Sequence, residues 1–222
     1  MKLIPEWHEH QYCLIAWPCN KDLYGKIINK ARDEVANVIN EIAKTEHVIV
    51  LSNKEDINEI QNKTDHKNID IVECKLDDSW MRDIAPIFYI EDEKLKSISF
   101  EFNGYGKYPD YLNDNKISKF ISNYLNIPTI TSDLVIEGGA ITYDDKKNLF
   151  STKNVIFNKN RKQKHNSEYI IKELKLLFDL NYIFLFENGL MEDDTDGHVD
   201  NLLCPIGELS LIHISEPTRP SR

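Results

Sequence analysis

Apolar residues recur at helical spacing in several stretches of the chain and alternate or run together in shorter ones between them. Over residues 26–44, Ile27, Ile28, Ala31, Val35, Val38, Ile39 and Ile42 fall on one helical stripe. A strong amphipathic pattern spans 166–180. Shorter helical patterns span 54–63 and 113–126, the latter with Asn113 or Asp114 in N-cap position. β-Branched and aromatic runs predict strands at 47–52, 68–74, 87–92 and 95–102, and a buried strand at 181–187. The pair 87–92 and 95–102 reads as a hairpin. Segment 134–157 reads as a set of short strands with a turn at Asp144–Lys147. Helices alternating with strands over short connections predict an α/β fold. A strand–loop–strand–helix–strand pattern returns loosely about every 50–60 residues, the signature of repeated modules. Its loops carry "WMRD", "IEGG" and "GHVD", so they are expected to converge at one end of the fold.

Composition narrows the class. The chain has 222 residues, of which 41% are hydrophobic and 29% charged, as in a soluble globular protein. Its net charge of -10 argues against nucleic acid as a partner and is compatible with a cationic small substrate. Cys13, Cys19, Cys74 and Cys204 form no CxxC pair and no zinc spacing, so neither a metal nor another cofactor is expected. The opening "MKLIPEWHEHQY" lacks the apolar core of a signal peptide, and no apolar run approaches the length of a membrane helix. A cytoplasmic setting with reduced thiols is the expectation, with no membrane partner.

Three loops carry candidate chemistry. In "GHVDNL", an extended backbone would project His198 and Asp200 to the same face, where an imidazole can move protons beside a carboxylate. Two polar residues on an exposed strand would give the same spacing. In "IEGGA", Glu137 follows an apolar run and precedes Gly138 and Gly139, as at a strand end approached closely by a ligand, or at a simple turn. "DDSWMRDIAP" sets Asp77, Asp78, Asp83, Arg82 and Trp80 between two strands. Arg82 is expected to pair with Asp77 or Asp78 and hold this loop. Asp83, Glu137 and Asp200 around His198 would repel one another unless a cation sits among them. A guanidinium fits: it is planar, always charged and gripped by carboxylates two donors at a time. Trp80 could cover its stem or face the cation. "EDDTDGHVDNLL" partly imitates a calcium loop, but Leu203 stands where the bidentate Glu belongs, so Asp193 and Asp194 read as solvated acids.

Together, "PEWHEHQYCLIAWP", "DDSWMRDIAPIF", "FNGYGKY", "IEGGAI" and "GHVDNL" resemble, in order and spacing, the agmatine deiminase family of the guanidine-modifying or pentein superfamily. The resemblance runs from residue 4 to about 207. It implies an α/β propeller of five ββαβ modules, of which this chain would supply about the first three. It also implies hydrolysis of agmatine to N-carbamoylputrescine and ammonia, a step of putrescine biosynthesis. Asp83 and Asp200 would grip the guanidinium, Glu137 would bind it and assist proton movement, His198 would be the general acid/base, and Trp80 would line the pocket. A homodimer of the full-length protein is a further implication.

The family's nucleophile is a cysteine in a Gly-rich "HC" motif far downstream of His-x-Asp, and no cysteine here stands in that motif. Cys204 lies four residues beyond Asp200 on the same predicted strand and reads as a core thiol. The expectation is therefore an inactive, C-terminally truncated chain. Residues 1–208 would be a partial propeller domain. Residues 209–222, "LSLIHISEPTRPSR", would be a non-native or disordered tail. A bacterial peptidylarginine deiminase shares the same residues, and a non-catalytic guanidinium- or polyamine-binding protein is the reading from a different class.

Overall fold

The computed structural model describes residues 2–65, 67–206 and 211–213. They fall into two compact units, each with its own core.

One unit comprises Glu9–Met81 and Asp110–Ile117. Strands Tyr12–Ala16, His47–Ser52 and Ile69–Glu73 form a parallel sheet with His47–Ser52 in the centre. Helices Ile28–Ile42 and Ile57–Lys63 make the crossovers that parallel pairing demands. Trp17, Ala36, Ile39, Ala43, Val48, Val50 and Ile60 close the core, so the central "HVIVLS" is buried on both faces. The inward stripe of the first helix differs from the expected one: Ile27 and Val38 are exposed, and Arg32, Ala36 and Ile39 are buried. An arginine occupies a core-facing position, which hydrophobic periodicity does not register. Its guanidinium lies 2.8 Å from Asp56 and 2.5 Å from Glu59, and Nε donates to the Pro18 carbonyl at 2.9 Å.

The acids at 77 and 78 are structural. Asp77 accepts from Asn113 N at 2.7 Å and Nδ2 at 2.6 Å. Asp78 accepts from Ser79 N at 2.7 Å and Asn20 Nδ2 at 3.2 Å. The Asp114 carboxylate accepts the backbone amides of Asp77 and Asp78 at 2.9 and 3.1 Å. Neither Asn113 nor Asp114 therefore caps the following helix with its side chain, because both side chains tie down this loop.

The second unit comprises the described residues of Met1–His8, Arg82–Pro109 and Ser118–Arg222. Strands Ile87–Glu91 and Lys94–Glu101 form the expected hairpin, turning through left-handed Asp92 and Glu93. The chain then runs through helix Ile117–Tyr124 into strand Thr129–Val135, parallel to Lys94–Glu101. Strand Lys2–Leu3 adds to the other edge. The order is repeated at once: Thr142–Tyr143 pairs antiparallel with Asn148–Thr152, helix Ser167–Phe178 follows, and Tyr182–Phe186 returns parallel to Asn148–Thr152. The hairpin–helix–parallel strand unit thus occurs twice, around a shared core that includes Tyr89, Ile98, Leu134, Leu149, Leu174 and Phe178.

Two expectations in this unit are corrected. Residues 153–156, read as strand, form the short helix Lys153–Ile156, because the Thr152 hydroxyl accepts from Val155 N and caps it. Tyr182–Phe186, read as buried, is an edge strand among the described residues, with Tyr182, Phe184 and Phe186 exposed on one face. Of residues 209–222, only the strand Leu211–His213 is described; its backbone pairs antiparallel with Leu203–Pro205. The rest of the expectation about that tail lies outside the described residues.

Candidate active site

Three turns of the second unit meet at Gly139. The first is the short helix Met81–Ile84, whose buried Asp83 accepts from Gly139 N at 2.9 Å and from the Tyr105 hydroxyl at 2.7 Å. The second is "EGGA": strand Thr129–Val135 ends, Glu137 remains extended, and Gly138–Ala140 make a 3₁₀ turn. The third begins at His198, which opens the 3₁₀ turn Val199–Asn201. A Cβ on Gly138 would overlap the Arg82 carbonyl oxygen, so this glycine lets the first two turns approach. A Cβ on Gly139 would stand 2.5 Å from His198 Nδ1, 2.6 Å from Asp200 Oδ2 and 2.7 Å from Asp83 Oδ1. One point thus touches three polar side chains from two separate turns, and the missing methyl is what leaves them room.

The structure brings Asp83, Glu137, His198 and Asp200 together. His198 Nδ1 is 3.6 Å from Asp83 Oδ1, and Nε2 is 3.6 Å from Glu137 Oε2. These separations exceed hydrogen-bond length, so the coupling is electrostatic. Burial disfavours charge on His198, but Glu137, Asp83 and Asp200 outweigh it and raise its pKa above the ordinary histidine value. Burial likewise works to raise the pKa of Glu137, but His198 and Arg161 overcome it and leave the carboxyl below its usual range. Asp200 is raised, by burial first and by Asp83 and Glu6 as well, against His198 and Arg82. Its partner Arg82 Nε is 3.9 Å away, and 30% of the Asp200 side chain remains exposed. The cluster is therefore a nearly dry imidazole–carboxylate pair beside a more open carboxylate.

The route to this geometry differs from the expected one. His198 and Asp200 do not share a strand: they sit at the start of a 3₁₀ turn, positioned by the loop before it. Asp193 accepts from Thr195 N and Oγ1, Gly197 N and His198 N at 2.5–3.2 Å, so it is a structural acid rather than a solvated one. Arg82 pairs with Glu6 and Asp200 rather than with Asp77 or Asp78, whose oxygens already serve their own loop. Trp80 is exposed and belongs to the other unit, one residue before helix Met81–Ile84.

Sequence reasoning assigned no role to two neighbours. Tyr105 adopts a left-handed backbone (φ 59°) between two glycines that do the same, and so aims its hydroxyl at Asp83. The run "GYG" was the available signal. Arg161, in the basic stretch "NRKQK", is fully buried with Nε 2.7 Å from Glu137 Oε1. Nothing in its spacing distinguishes it from a solvated cation.

None of the four cysteines has the surroundings of an activated thiol. Burial, then neighbouring acids, push Cys19 up to about 12, and burial takes Cys74 to about 11. Cys13 is raised by burial and by Glu46. Cys204 is raised by burial and by Glu6, with Sγ 3.4 Å from Glu6 Oε2. Among the described residues, no cluster suited to a metal ion occurs, and no helix is long and apolar enough to cross a membrane.

The described residues thus make a mixed α/β protein with a buried imidazole between carboxylates. The chain belongs to the Porphyromonas-type peptidyl-arginine deiminase family, whose model matches residues 2–221. It is 32% identical over 97% of its length to a Mycoplasma capricolum protein provisionally described as an agmatine deiminase. It is 29% identical, again over 97%, to the agmatine deiminase of Pseudomonas aeruginosa. In both cases the chain spans 61% of the relative's length. Agmatine deiminase from C. jejuni, solved as a cysteine-to-serine variant with substrate bound, matches with a TM-score of 0.87 and 27% identity. That match covers 96% of this chain and 64% of that one. The agmatine deiminase of Enterococcus faecalis shares the fold at a TM-score of 0.87 and 20% identity, covering 93% and 58%.

Proposed function

We propose that this chain carries the guanidinium-gripping part of an agmatine deiminase site, for the reaction in which agmatine and water give N-carbamoylputrescine and ammonia. The observation that supports this reading most is the convergence of Asp83, His198 and Asp200 on Gly139, with Glu137 against the same imidazole. Asp83 and Asp200 take guanidinium N–H groups, and the half-open Asp200 is the one a cation from solvent meets first. Glu137 binds the guanidinium and exchanges protons with His198, the general acid/base. A thiolate attacks the guanidinium carbon, ammonia leaves with a proton from His198, and water then cleaves the amidino-thioether to release the carbamoyl product and the thiol. Because Cys13, Cys19, Cys74 and Cys204 are poor thiolates, the reading places that nucleophile in the part of the relatives' length that this chain does not span. The chain alone is then inactive. The two hairpin–helix–strand repeats are read as ββαβ modules of a five-module propeller that the whole protein completes in the cytoplasm.

Isothermal titration of the 222-residue chain with agmatine tests the reading, with putrescine, which lacks the guanidinium, as the control. Agmatine should bind and putrescine should bind at least tenfold more weakly, and Asp200→Asn should remove the preference. Equal affinity for the two ligands would refute a guanidinium site. An arginine peptide that binds better than agmatine would favour the peptidylarginine substrate instead.

A further inference from the structure

Arg161 is wholly buried, its side chain 0% exposed, and every partner it has stands on an element that builds the site. Nε lies 2.7 Å from Glu137 Oε1. Nη1 donates to Asp196 Oδ2 at 2.7 Å and to the Tyr105 carbonyl at 3.0 Å, and Nη2 donates to the Thr195 carbonyl at 2.6 Å. The guanidinium carbon also lies 5.7 Å from the centre of the Tyr105 ring, whose hydroxyl holds Asp83. Asn103 Nδ2 in turn donates to the carbonyls of Asn160 and Arg161 at 3.2 and 3.0 Å, fixing the backbone that presents the side chain.

We propose that Arg161 is a positioning residue of the guanidinium site, one fork that fixes the Glu137 carboxylate, the 193–197 loop delivering His198, and the Tyr105 turn supporting Asp83. The proposal rests on the guanidinium-site reading for its purpose and on the contacts above for its mechanism. The close ion pair with Arg161, made without hydrogen-bond geometry, draws Oε1 of the buried Glu137 to one side and leaves Oε2 facing His198 Nε2. A lysine, whose donors radiate from a single point, could not reach the three hydrogen-bond acceptors and the paired Glu137 oxygen together. Arg161 pairs with Glu137 through one oxygen and with neither Asp83 nor Asp200, so those two carboxylates are left to the guanidinium.

The charged groups facing this arrangement are Glu137 and Asp196 on Arg161, Lys107 on Asp196 at 2.7 Å, and Asp83, Glu137, Asp200 and Asp193 around His198. Glu137 now shares its charge between Arg161 and His198. Without Arg161, His198 loses a repelling cation and becomes the sole close cation of Glu137, so it should hold its proton to higher pH.

The test is NMR titration of the histidine-labelled full chain, with agmatine calorimetry beside it. Arg161→Met should move the His198 midpoint upward by at least half a pH unit and weaken agmatine at least tenfold. Arg161→Lys, which keeps the charge and is the safer folding variant, should show a smaller upward movement and a loss of agmatine affinity of at least threefold. An unchanged His198 midpoint in a folded variant overturns the proposal, as does a drop in melting temperature with both site readouts unaltered. If the unsubstituted chain ignores agmatine, the functional reading fails, while the His198 midpoint still decides whether Arg161 governs the Glu137–His198 pair.

Discussion

His198 Nε2 faces Glu137 Oε2 at 3.6 Å, with the two side chains only 2% and 1% exposed. An imidazole and a carboxylate so placed, out of water, titrate as a pair. Because the pKa of His198 is raised, its imidazolium stabilises the fold fully below the ordinary histidine value of about 6.5, and that contribution disappears as pH rises through the folded value. The His198 NMR midpoint should therefore lie above the ordinary value, and Glu137→Gln should lower it by at least half a unit. A midpoint at or below the ordinary value in the unsubstituted chain would mean that burial wins over the carboxylates.

Gly139→Ala tests the meeting point directly. The backbone of Gly139 is not among those with positive φ, so alanine meets no conformational obstacle, only the three side chains at 2.5–2.7 Å. Overpacking of this kind costs about 1–3 kcal/mol. The variant should thus fold with a lowered urea midpoint and bind agmatine at least tenfold more weakly. Agmatine affinity within twofold of the parent chain would place the ligand elsewhere.

The absence of an activated thiol gives a third expectation. The 222-residue chain should release no ammonia from agmatine above a buffer blank, while Asp200-dependent binding persists. Cys204 is the cysteine nearest in sequence to His198, but its thiol faces Glu6, which disfavours the thiolate. Ammonia release abolished by Cys204→Ala would show that this thiol is the nucleophile after all.

The regular elements were legible because their information is local. The period of "HVIVLS" and the spacing of Ile170, Leu174 and Phe178 hold whatever packs against them. Asp83, Glu137, His198 and Asp200 were legible as candidates because carboxylates and an imidazole punctuate strand ends. Their common meeting point was not, since it depends on Gly139 lying against residues 56 positions upstream. The setting of His198 was misread as a strand because the loop that shapes it is organised by Asp193, an acid indistinguishable in sequence from its solvated neighbours. Arg32 and Arg161 show the same limit. A buried arginine is specified by acceptors remote in the chain, so periodicity counts it as surface.

Asp114 supplies a pH-dependent prediction in the other unit. Its carboxyl is pushed up to about 7, first by burial and further by the charges of Asp77 and Asp78, against the two backbone amides it accepts. In the unfolded chain it should titrate near the ordinary aspartate value of about 3.9. Between these two values the folded chain holds a proton that the unfolded chain has lost, so this residue makes stability fall as pH rises from about 4 to about 7, with a flat response beyond. Asp114→Asn cannot ionise and lacks that slope, although its amide satisfies only one of the two backbone donors. The parent chain should therefore exceed the variant in melting temperature most at pH 4.5–5, with the gap narrowing steadily towards pH 7.5. Melting curves at half-unit pH steps decide it: a gap that stays constant, or widens with pH, would mean that Asp114 remains ionised throughout and that its amide contacts prevail over burial.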